Sequence, residues 1–301
     1  MKISVVIPVY KKYEMLIKHL RNNMPYLNAY EVIIVDDASE EDIKKKVHSE
    51  FPHIKVLENK INLGFAPTVN RGIKEAQGDY IILLNSDVKL IAPFNHSDFQ
   101  SFQKDASLFA ISFMQKERDG TYVGKNRMFF SNGFPNHSKS PNLDKGINGW
   151  AEGGSCIIRA DYLHTLGGLL DIYAPFYWED NDLSYRAYSR GMHILFSPDV
   201  VVEHHHESTV GSFYTKAQVK KIAYRNQFLF TWINITDTSL FKSHILSLPK
   251  HITKALLRAD MQFIGGFIDA LFRLRSVLVH RKQKKAAQKI SDSEIFRILS
   301  R

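Results

Sequence analysis

Three carboxylates stand within four positions, at Glu179, Asp180 and Asp182, where a helical pattern begins. Backbone N–H groups and the helix dipole stabilise carboxylates at a helix N-terminus, so capping explains such acids without a catalytic role. Three exceed what a cap needs, however, and Tyr177 and Trp178 place an aromatic wall beside them. A carboxylate between an apolar wall and a polar pocket has the environment of a general base.

A second polar group, Asn85-Ser86-Asp87, ends an apolar run, and three histidines at 204–206 end another apolar segment. Strand alternation would direct His204 and His206 to one side, and imidazole is a common ligand of divalent ions. One histidine and Asp87 are therefore candidate ligands of one ion. The alternative is that the aspartate forms a turn and the histidines a solvated loop.

These groups together predict one kind of chemistry. A divalent ion held by few protein ligands leaves coordination positions open for phosphate oxygens. A separate carboxylate can then activate an attacking group. This arrangement is typical of an enzyme that displaces a nucleoside diphosphate.

The elements that must position these groups alternate along the chain. Ser39 with the acids that follow it has the pattern of a helix N-cap. Strands alternating with helices predict an α/β fold with a parallel sheet, in which ligands bind beyond the carboxyl ends of the strands. Asp37 and Asp87 should therefore line one crevice, and the polar stretch 132–149 should form a loop that serves as a mobile lid. Predicted strands cover residues 3–9, 31–35, 54–57, 80–84 and 200–203, and predicted helices cover 12–24, 66–76, 160–166 and 183–190.

The composition excludes several classes of protein. The single cysteine, Cys156, excludes a disulfide framework and a multi-cysteine metal site. No signal-peptide pattern opens the chain and no apolar run approaches the roughly 20 residues of a membrane span, so we expect a cytoplasmic protein. The net charge of +9 lies entirely within residues 242–301, which carry 13 Lys and Arg against 4 Asp and Glu. A neutral body with a basic tail argues against nucleic-acid binding.

The basic tail also has an apolar repeat at steps of three and four, which predicts amphipathic helices. We accordingly divide the chain into a catalytic domain, residues 1–240, and a helical extension, residues 241–301. Two interpretations of the apolar stripe stay open. It lies on an anionic membrane surface, or it packs on the catalytic domain or on a second subunit of a homo-oligomer. The stripe consists of Leu257, Met261, Ile264, Ile268, Leu271, Leu274 and Leu278.

Six motifs follow one another in an order that resembles the family 2 glycosyltransferases, over about residues 2–226. The first four are S-V-V-I-P-V-Y at 4–10, V-D-D-A-S at 35–39, N-L-G-F at 62–65 with N-R-G at 70–72, and the strand from Gly78 that ends in N-S-D at 85–87. The others are Gly153-Gly154 and W-E-D-N-D at 178–182, with Arg186 and Gly191 behind it. A histidine among 204–206, ahead of Ser208-Thr209, fits the last metal ligand of the family.

The resemblance implies a GT-A fold, in which helices flank a mostly parallel sheet, and an inverting transfer of sugar from a UDP- or dTDP-sugar. The acceptor would be a hydroxyl of a saccharide or lipid-linked saccharide in cell-surface polysaccharide or glycolipid synthesis. The enzyme would then be peripheral to the inner face of the membrane. The resemblance makes Asp180 the catalytic base, with Glu179 beside it. It assigns Mn²⁺ or Mg²⁺ to Asp87 and to His204 or His206. Contacts with the donor are implied for Pro8, Tyr10, Asp37, Asn62, Gly64, Asn70, Asn85, Ser86 and Gly154.

One departure from the family pattern concerns the metal. Asn85 stands where the D-x-D motif has its first aspartate, and an amide oxygen brings less charge to a hard cation than a carboxylate does. We therefore expect weaker metal binding rather than loss of activity. A non-catalytic sugar-binding homologue is the alternative that Asn85 favours, but the presence of Asp87 and Asp180 argues against it.

Two other enzyme classes lack their signatures. A sugar nucleotidyltransferase should have a glycine-rich loop after the first strand, where this chain has Pro8-Val9-Tyr10. A Rossmann dehydrogenase needs G-x-G-x-x-G after a strand, and none follows any predicted strand.

Overall fold

The computed structural model describes residues 1–94, 99–204 and 209–300, in which strands and helices alternate over the first ninety residues as predicted. The strands are β1 (Ile3–Val9), β2 (Glu31–Asp36), β3 (Lys55–Glu58), β4 (Tyr80–Leu84), β5 (Val88–Leu90), β6 (Leu108–Lys116), β7 (Tyr122–Val123), β8 (Asn126–Ser131), β9 (Phe134–Lys139), β10 (Gly146–Ile147), β11 (Ser155–Arg159) and β12 (His193–His204). The helices are α1 (Tyr13–Leu27), α2 (Ile43–Glu50), α3 (Phe65–Glu75), α4 (Gln100–Lys104), α5 (Ala160–Leu166), α6 (Glu179–Ser189), α7 (Thr209–Phe213), α8 (Lys216–Asn234), α9 (Thr238–Leu257), α10 (Met261–Leu271), α11 (Leu274–Ala287) and α12 (Asp292–Leu299).

One large sheet has the strand order β10-β12-β6-β11-β4-β1-β2-β3. Its β4-β1-β2-β3 half is parallel, because a helix crosses over between each strand and the next. Strand β11 runs antiparallel to β4 and β6, whereas β12 is parallel to β6. Helices cover the sheet and further helices follow it, so the predicted α/β fold class with a helical C-terminal region is confirmed.

Strand β1 shows how the sheet is held. All seven of its residues are buried, and alternate side chains point to opposite faces. Val6 packs with Val35 in one core cluster, whereas Val5 and Ile7 pack with Leu16 of α1 in the other. Burial of each such side chain is worth roughly 1.5–3 kcal/mol, so this strand end is a rigid support for the residues that follow it.

The predicted N-cap at Ser39 is wrong. Helix α2 begins at Ile43 behind Asp42, which has no side-chain capping bond. The Ser39 hydroxyl instead accepts a hydrogen bond from the Lys11 backbone N–H at 2.6 Å, and Glu41 accepts from the Tyr13 backbone N–H at 2.6 Å. These side chains therefore stabilise the start of α1, because the two loops are neighbours in space although far apart in sequence.

The prediction that residues 132–149 form a loop is also wrong, whereas their role as a lid stays a prediction. This stretch contains β9, which pairs with β8 in an antiparallel hairpin, and β10, which pairs with β12. Phe134 is buried against the rings of Phe228 and His244, with centroids 5.2 and 4.7 Å away. The contacts that bury Phe134 come from α8 and α9, more than ninety residues later in the chain. The polarity of the segment itself does not indicate such distant partners.

A buried ion pair joins α11 to α12, and its carboxylate also links these helices to α6. Lys284 Nζ lies 2.7 Å from Asp292 Oδ1, and both side chains are almost fully buried. Asp292 also accepts hydrogen bonds from the Tyr185 hydroxyl of α6, at 3.0 Å, and from the Asp237 backbone N–H, at 2.8 Å. The division of the chain at residue 240 stays a prediction.

Within the described ranges, no helix has both the length and the apolar character that crossing a bilayer requires.

Candidate functional site

A cavity of about 650 Å³ opens where β1, β2 and β4 end, the place at which parallel sheets bind ligands. The segment before α6, the end of β12 and helices α7 and α8 complete its walls. The structure thus brings together residues that are up to 215 positions apart in the sequence, from Pro8 to Ala223. Twelve of the predicted site residues line this cavity: Pro8, Tyr10, Asp37, Asn62, Gly64, Asn85, Ser86, Asp87, Gly154, Glu179, Asp180 and His204.

Asp37 anchors one end of the cavity. Its Oδ1 accepts hydrogen bonds from Asn59 Nδ2 at 2.8 Å and from the Leu63 backbone N–H at 2.9 Å, and its Oδ2 accepts one from the Gly64 backbone N–H at 2.8 Å. A carboxylate has about four lone-pair sites, so Asp37 keeps acceptor capacity beyond these three bonds. It therefore both fixes the N-L-G-F loop and offers an acceptor to a ligand.

Gly64 is at a position that only glycine fits. Its φ is +87°, and a Cβ there would lie 2.8 Å from the Pro175 Cα. The neighbouring Phe65 backbone N–H donates to the Pro175 carbonyl at 2.9 Å. This close approach joins the N-L-G-F loop to the segment that leads into the acidic helix α6.

Aromatic rings flank the Asp37 end of the cavity. Tyr10, directly after β1, meets Phe213 of α7 edge to face, with ring centroids 5.2 Å apart. The Lys11 Nζ lies 5.4 Å from the Tyr10 ring centroid. Rings next to a carboxylate and an ammonium group can hold a planar base and an anionic group attached to it.

Asp87 and His204 form the candidate metal pair. Asp87 Oδ1 and His204 Nε2 are 3.3 Å apart, and both residues are buried. On the other side of the ring, His204 Nδ1 lies 2.8 Å from Gln115 Oε1. The Gln115 amide nitrogen donates to the Glu152 carboxylate and to the Ser155 hydroxyl. An ionised carboxylate can only accept, so the amide oxygen of Gln115 must face the histidine.

This orientation fixes which ring nitrogen faces Asp87. Since Gln115 Oε1 is an acceptor, His204 Nδ1 carries a proton and donates to it, and Nε2 is the nitrogen that faces Asp87. An imidazole nitrogen and a carboxylate oxygen that face each other can both ligate a cation. A polar side chain that orients a ligating histidine is the usual outer support of a metal site.

The donor set fits a divalent cation that keeps open positions. No group of three or more His, Cys, Asp or Glu suited to a metal occurs in the part of the chain that the structure describes. Asp87 and His204 would thus supply few of the ligands, and phosphate oxygens or water the rest. The other predicted ligand, His206, and its neighbour His205 lie outside the described residues.

Asn85 lies beside this pair and packs against Gly154, the residue before β11. Its backbone N–H donates to the Gly154 carbonyl at 3.0 Å, and a Cβ at position 154 would lie 2.3 Å from Asn85 Nδ2. Gly154 therefore makes room for the Asn85 side chain.

Helix α6 begins at Glu179, four residues earlier than predicted, so all three acids lie in its first turn. The two residues before it, Tyr177 and Trp178, have φ values of +74° and +75°, which are uncommon for residues with a side chain. Buried Asn226 of α8 holds this turn, because its Nδ2 lies 2.8–2.9 Å from the carbonyls of Tyr173, Phe176 and Tyr177. The strain is thus offset by a long-range contact.

Asp180 and Glu179 face the cavity in different ways. Asp180 accepts a hydrogen bond from the Asn181 backbone N–H at 2.8 Å and a long one, 3.4 Å, from Gly153. Removal from water and the nearby Glu152 carboxylate raise the pKa of Asp180 to about 6. Deeper burial and the Asp180 charge raise the pKa of Glu179 to about 8. At neutral pH, Asp180 is therefore mostly ionised and Glu179 mostly protonated.

One predicted site residue is not at the site. Asn70 does not line the cavity: its Nδ2 donates to the Leu169 carbonyl at 2.7 Å and lies 3.1 Å from Asp171 Oδ1, and its Oδ1 accepts from the Leu169 backbone N–H at 3.0 Å. Both amide atoms are used to hold the segment after α5 against α3. The assignment of Asn70 to donor binding has no support in this geometry.

Several cavity residues were not predicted. His137 of β9 lies between the rings of Trp150 and Trp178, with centroids 5.2 and 5.4 Å away. Glu152 lies beside the predicted glycines, and Asn181 within the acidic cluster has a buried Nδ2 without a hydrogen-bond partner among the described residues. Of these three, only Glu152 and Asn181 stood close enough in sequence to a motif for the motif to indicate them, and another lining residue, Phe65, belongs to the N-L-G-F motif itself. Other unpredicted residues of the lining include Phe65, Thr68, Pro175, Phe213 and Tyr214.

Comparison with known proteins gives this geometry a context. A dolichol-phosphate mannosyltransferase of Pyrococcus furiosus is 35% identical over 95 residues, which are 30% of this chain and 26% of that protein. The chain thus spans about a quarter of the length of that curated relative.

Solved structures match over nearly the whole chain, at low identity. TarS of S. aureus in complex with UDP-GlcNAc superposes with a TM-score of 0.58 over 99% of this chain and 90% of that one, at 16% identity. The mannosyltransferase PcManGT of Pyrobaculum calidifontis, in complex with GDP-Man and Mn²⁺, gives 0.55 over 95% and 85%, at 14% identity. These likenesses agree with the GT-A fold.

The family itself is shown by sequence. The model of the family described as "Glycosyl transferase family 2" matches residues 4–167, more than half of the chain. The match contains β1, the V-D-D-A-S and N-L-G-F motifs and the strand that ends at Asp87. This chain therefore belongs to glycosyl transferase family 2.

Proposed function

We propose that this protein transfers a sugar, with inversion, from a UDP- or dTDP-sugar to a hydroxyl of a saccharide acceptor. The acceptor would be free or lipid-linked, in the synthesis of a cell-surface polysaccharide or glycolipid. The observation that carries the proposal is the single cavity that contains Asp37 with Tyr10, the pair Asp87 and His204, and Asp180. These three groups match the three parts of a reaction that displaces a nucleoside diphosphate.

The base of the donor would lie at the Asp37 end. A uracil or thymine ring packed against Tyr10 can donate its N3–H to the spare acceptor capacity of the Asp37 carboxylate. The backbone N–H groups of Leu63 and Gly64 already occupy one side of this carboxylate and hold it in place. The diphosphate then extends toward Asp87.

We propose that Asp87 and His204 hold Mn²⁺ or Mg²⁺, with Asn85 close by. Asp87 Oδ1 and His204 Nε2 are 3.3 Å apart, a separation at which both atoms can contact one ion with ligand distances near 2.1 Å. Gln115 keeps the histidine in the tautomer that ligates. A divalent ion bound there supplies positive charge to the departing nucleoside diphosphate.

Asp180 would act as the base. As the acceptor oxygen attacks the anomeric carbon, its proton passes to the Asp180 carboxylate and the bond from that carbon to the diphosphate oxygen breaks. Attack opposite the leaving group inverts the anomeric centre. Protonated Glu179 adds no negative charge beside the base, and its buried Oε2 has no hydrogen-bond partner within the described residues, so it can donate to a sugar hydroxyl. Two adjacent acids with separated pKa values are a usual division of labour in active sites.

The acceptor would enter past His137, Trp150 and Trp178. Aromatic faces of this kind pack against the apolar face of a sugar ring, and Asn181 Nδ2, which has no hydrogen-bond partner within the described ranges, is a further donor for hydroxyls.

The test is a thermal-shift panel of UDP, dTDP, GDP and CMP, each with Mn²⁺, Mg²⁺ or EDTA. A nucleotide at a hundred times its dissociation constant adds about 2.7 kcal/mol to the free energy of unfolding, which is several degrees in Tm. We expect UDP or dTDP to raise Tm with metal and not with EDTA. Asp87→Ala should remove the metal-dependent shift, whereas Asp199→Ala, on the surface, should retain it.

The sugar is then found by screening sugar conjugates of the nucleotide that binds, with slow donor hydrolysis as the readout, and NMR of the anomeric proton of the product tests inversion. No shift with any nucleotide and metal would contradict the proposal. A shift without hydrolysis or transfer of any donor would instead support the non-catalytic homologue that Asn85 suggests.

A further inference from the structure

Helix α10 is apolar on two opposite sides. Its inner side packs on α8: Phe263 and Phe267 contact the Phe228 ring, with centroids 5.4 and 5.1 Å away. Gly266 touches α8 so closely that a Cβ would lie 2.8 Å from the Lys221 carbonyl oxygen. These residues form the core-facing side that an amphipathic helix is expected to have.

The apolar stripe seen in the sequence is mostly on the other side. Met261 and Ile268 of the stripe recur at helical spacing opposite the α8 contact and are 61% and 44% exposed, and the adjoining Phe272, outside the stripe, is 85% exposed. The interpretation that the stripe packs on the catalytic domain is therefore wrong for Met261 and Ile268. This side of α10 therefore contacts either solvent or a partner outside the chain.

Neighbouring helices extend this exposed surface. Leu246 and Leu257 of α9 are 79% and 83% exposed, and Leu278 of α11 is 56% exposed. Of the nineteen large hydrophobic side chains that are exposed in the described ranges, eleven lie between residues 245 and 279. Such a concentration marks an interaction surface, whereas single exposed side chains need no explanation. We call Leu246, Leu257, Met261, Ile268, Phe272 and Leu278 the apolar face.

The charges around the apolar face have one sign. From Thr238 to Ser291 every exposed charged residue is Lys or Arg, eight in total. The two carboxylates on α9–α11 and their junctions, Asp260 and Asp269, are only partly exposed and pair with Lys220 and Lys221 of α8 at 2.8 Å. The surface therefore combines hydrophobic side chains with unneutralised positive charge.

We propose that the apolar face, with Lys250, Arg258 and Arg275 around it, lies on an anionic lipid bilayer. Leucine and phenylalanine side chains that project beyond lysines and arginines suit the boundary between acyl chains and anionic headgroups. A second copy of the chain would set these like charges against each other. A nucleic acid would neutralise the charge and leave the apolar side chains in water. No residue of the apolar face lines the cavity, so the proposal does not depend on the proposed donor or acceptor.

The test uses the full chain and sucrose-loaded vesicles of phosphatidylcholine, alone or mixed equally with phosphatidylglycerol. We expect sedimentation with the mixed vesicles only, weakened in about 1 M NaCl, where the Debye length falls to about 3 Å. A variant with Leu246→Ser, Leu257→Ser and Phe272→Ser should bind at least tenfold more weakly. Its Tm should be unchanged, since all three side chains are mostly exposed. Tyr122→Ser, an exposed aromatic on β7, is the matched control and should bind normally.

The charge contribution is tested separately. Lys250→Glu with Arg258→Glu should abolish sedimentation, whereas Lys18→Glu with Lys45→Glu, the same change of charge on α1 and α2, should not. Absence of vesicle binding by the parent protein overturns the proposal, as does equal binding by the serine variant. A dimer in light scattering that the serine substitutions convert to a monomer, with no vesicle binding, would show instead that the face is a subunit interface.

Discussion

The first turn of α6 has a core side and a cavity side, and the two sides use the same chemical group differently. Asp182, on the core side, is fully buried and has a partner for each oxygen: Arg186 Nε at 2.6 Å on Oδ2, and the Tyr173 hydroxyl and Asn234 Nδ2 on Oδ1. Asp180, two positions earlier, receives only backbone N–H groups and faces the cavity.

The difference is one of compensation. The buried charge of Asp182 is neutralised by a cation, so its carboxylate supports the fold. The carboxyl groups of Asp180 and Glu179 face no such cation among the described residues, and burial instead raises both pKa values. Buried acids without a cation, such as Asp180 and Glu179, are candidates for proton transfer, whereas an ion-paired acid such as Asp182 is not. From the sequence alone, these three carboxylates are nearly equal candidates for proton transfer.

Asp180→Asn tests the cavity side and should have the largest effect. Loss of a general base typically lowers the rate by 10²–10⁴-fold. We expect kcat to fall in this range, while the nucleotide-induced Tm shift remains, because Asp180 lies away from the Asp37 end. Initial rates of transfer or donor hydrolysis measure the first quantity and thermal shift the second. Retention of a tenth or more of the activity would remove Asp180 from the role of base.

Asp182→Asn tests the core side. The Arg186 guanidinium would then be buried without its ionic partner, which typically costs about 3–5 kcal/mol. Urea unfolding should show this loss, whereas Asp199→Asn, which breaks an exposed pair with Lys145, should change stability by about 0–1 kcal/mol. Below the unfolding transition the Asp182 variant should still bind nucleotide. A stable variant that binds no nucleotide would reverse the roles of the two sides.

Glu179→Gln should change how stability depends on pH. The folded protein keeps a proton on Glu179 up to a pKa of about 8, whereas the unfolded chain loses it near the ordinary value of 4.5. Fewer protons are bound in the unfolded state within this window, so the free energy of unfolding falls as pH rises through it. Between pH 6 and 8 the fall should be roughly 2 kcal/mol, and the glutamine variant should lack it. Urea titrations at pH 6, 7 and 8 compare the two proteins, and parallel curves would place Glu179 in an ordinary ionised state.

The strand ends were predictable because their signals are local. A buried apolar run that stops at Asn85-Ser86-Asp87, or at Asp36-Asp37, indicates a carboxyl end whatever the rest of the chain does. The crossover pattern then places both groups at one edge of the sheet, and the structure has them there. The resemblance of the six motifs to a known family then indicated that these strand ends and the acidic helix belong to one site.

Contacts made by distant residues were not predictable in this way. The turn before α6 depends on Asn226, almost fifty positions later, and the orientation of His204 depends on Gln115, 89 positions earlier. His137 joins the cavity only because β8 and β9 pair and Phe134 is buried against α8. Polar residues in such segments show no periodicity that would indicate the partner. Folding, rather than local pattern, brings them together.

The N-R-G motif shows how a family motif can be structural. A Cβ at Gly72 would lie 2.4 Å from the Val6 Cγ1, so this glycine lets α3 pack on the sheet. Asn70, two positions earlier, uses its amide on the backbone of Leu169. The motif therefore packs α3 on the sheet and holds the segment after α5, and none of its residues lines the cavity.

Asn70→Ala separates such a structural motif residue from one that lines the site, and it should have the smallest effect. Loss of its hydrogen bonds to the Leu169 backbone should lower the free energy of unfolding by about 1–2 kcal/mol, measured in urea. The nucleotide-induced Tm shift should be that of the parent protein, because the side chain does not reach the cavity. Asn62→Ala is the matched variant: Asn62 is exposed and lines the cavity, so stability should be retained and the shift reduced. If Asn70→Ala weakened nucleotide binding with unchanged stability, the motif would belong to the donor site after all.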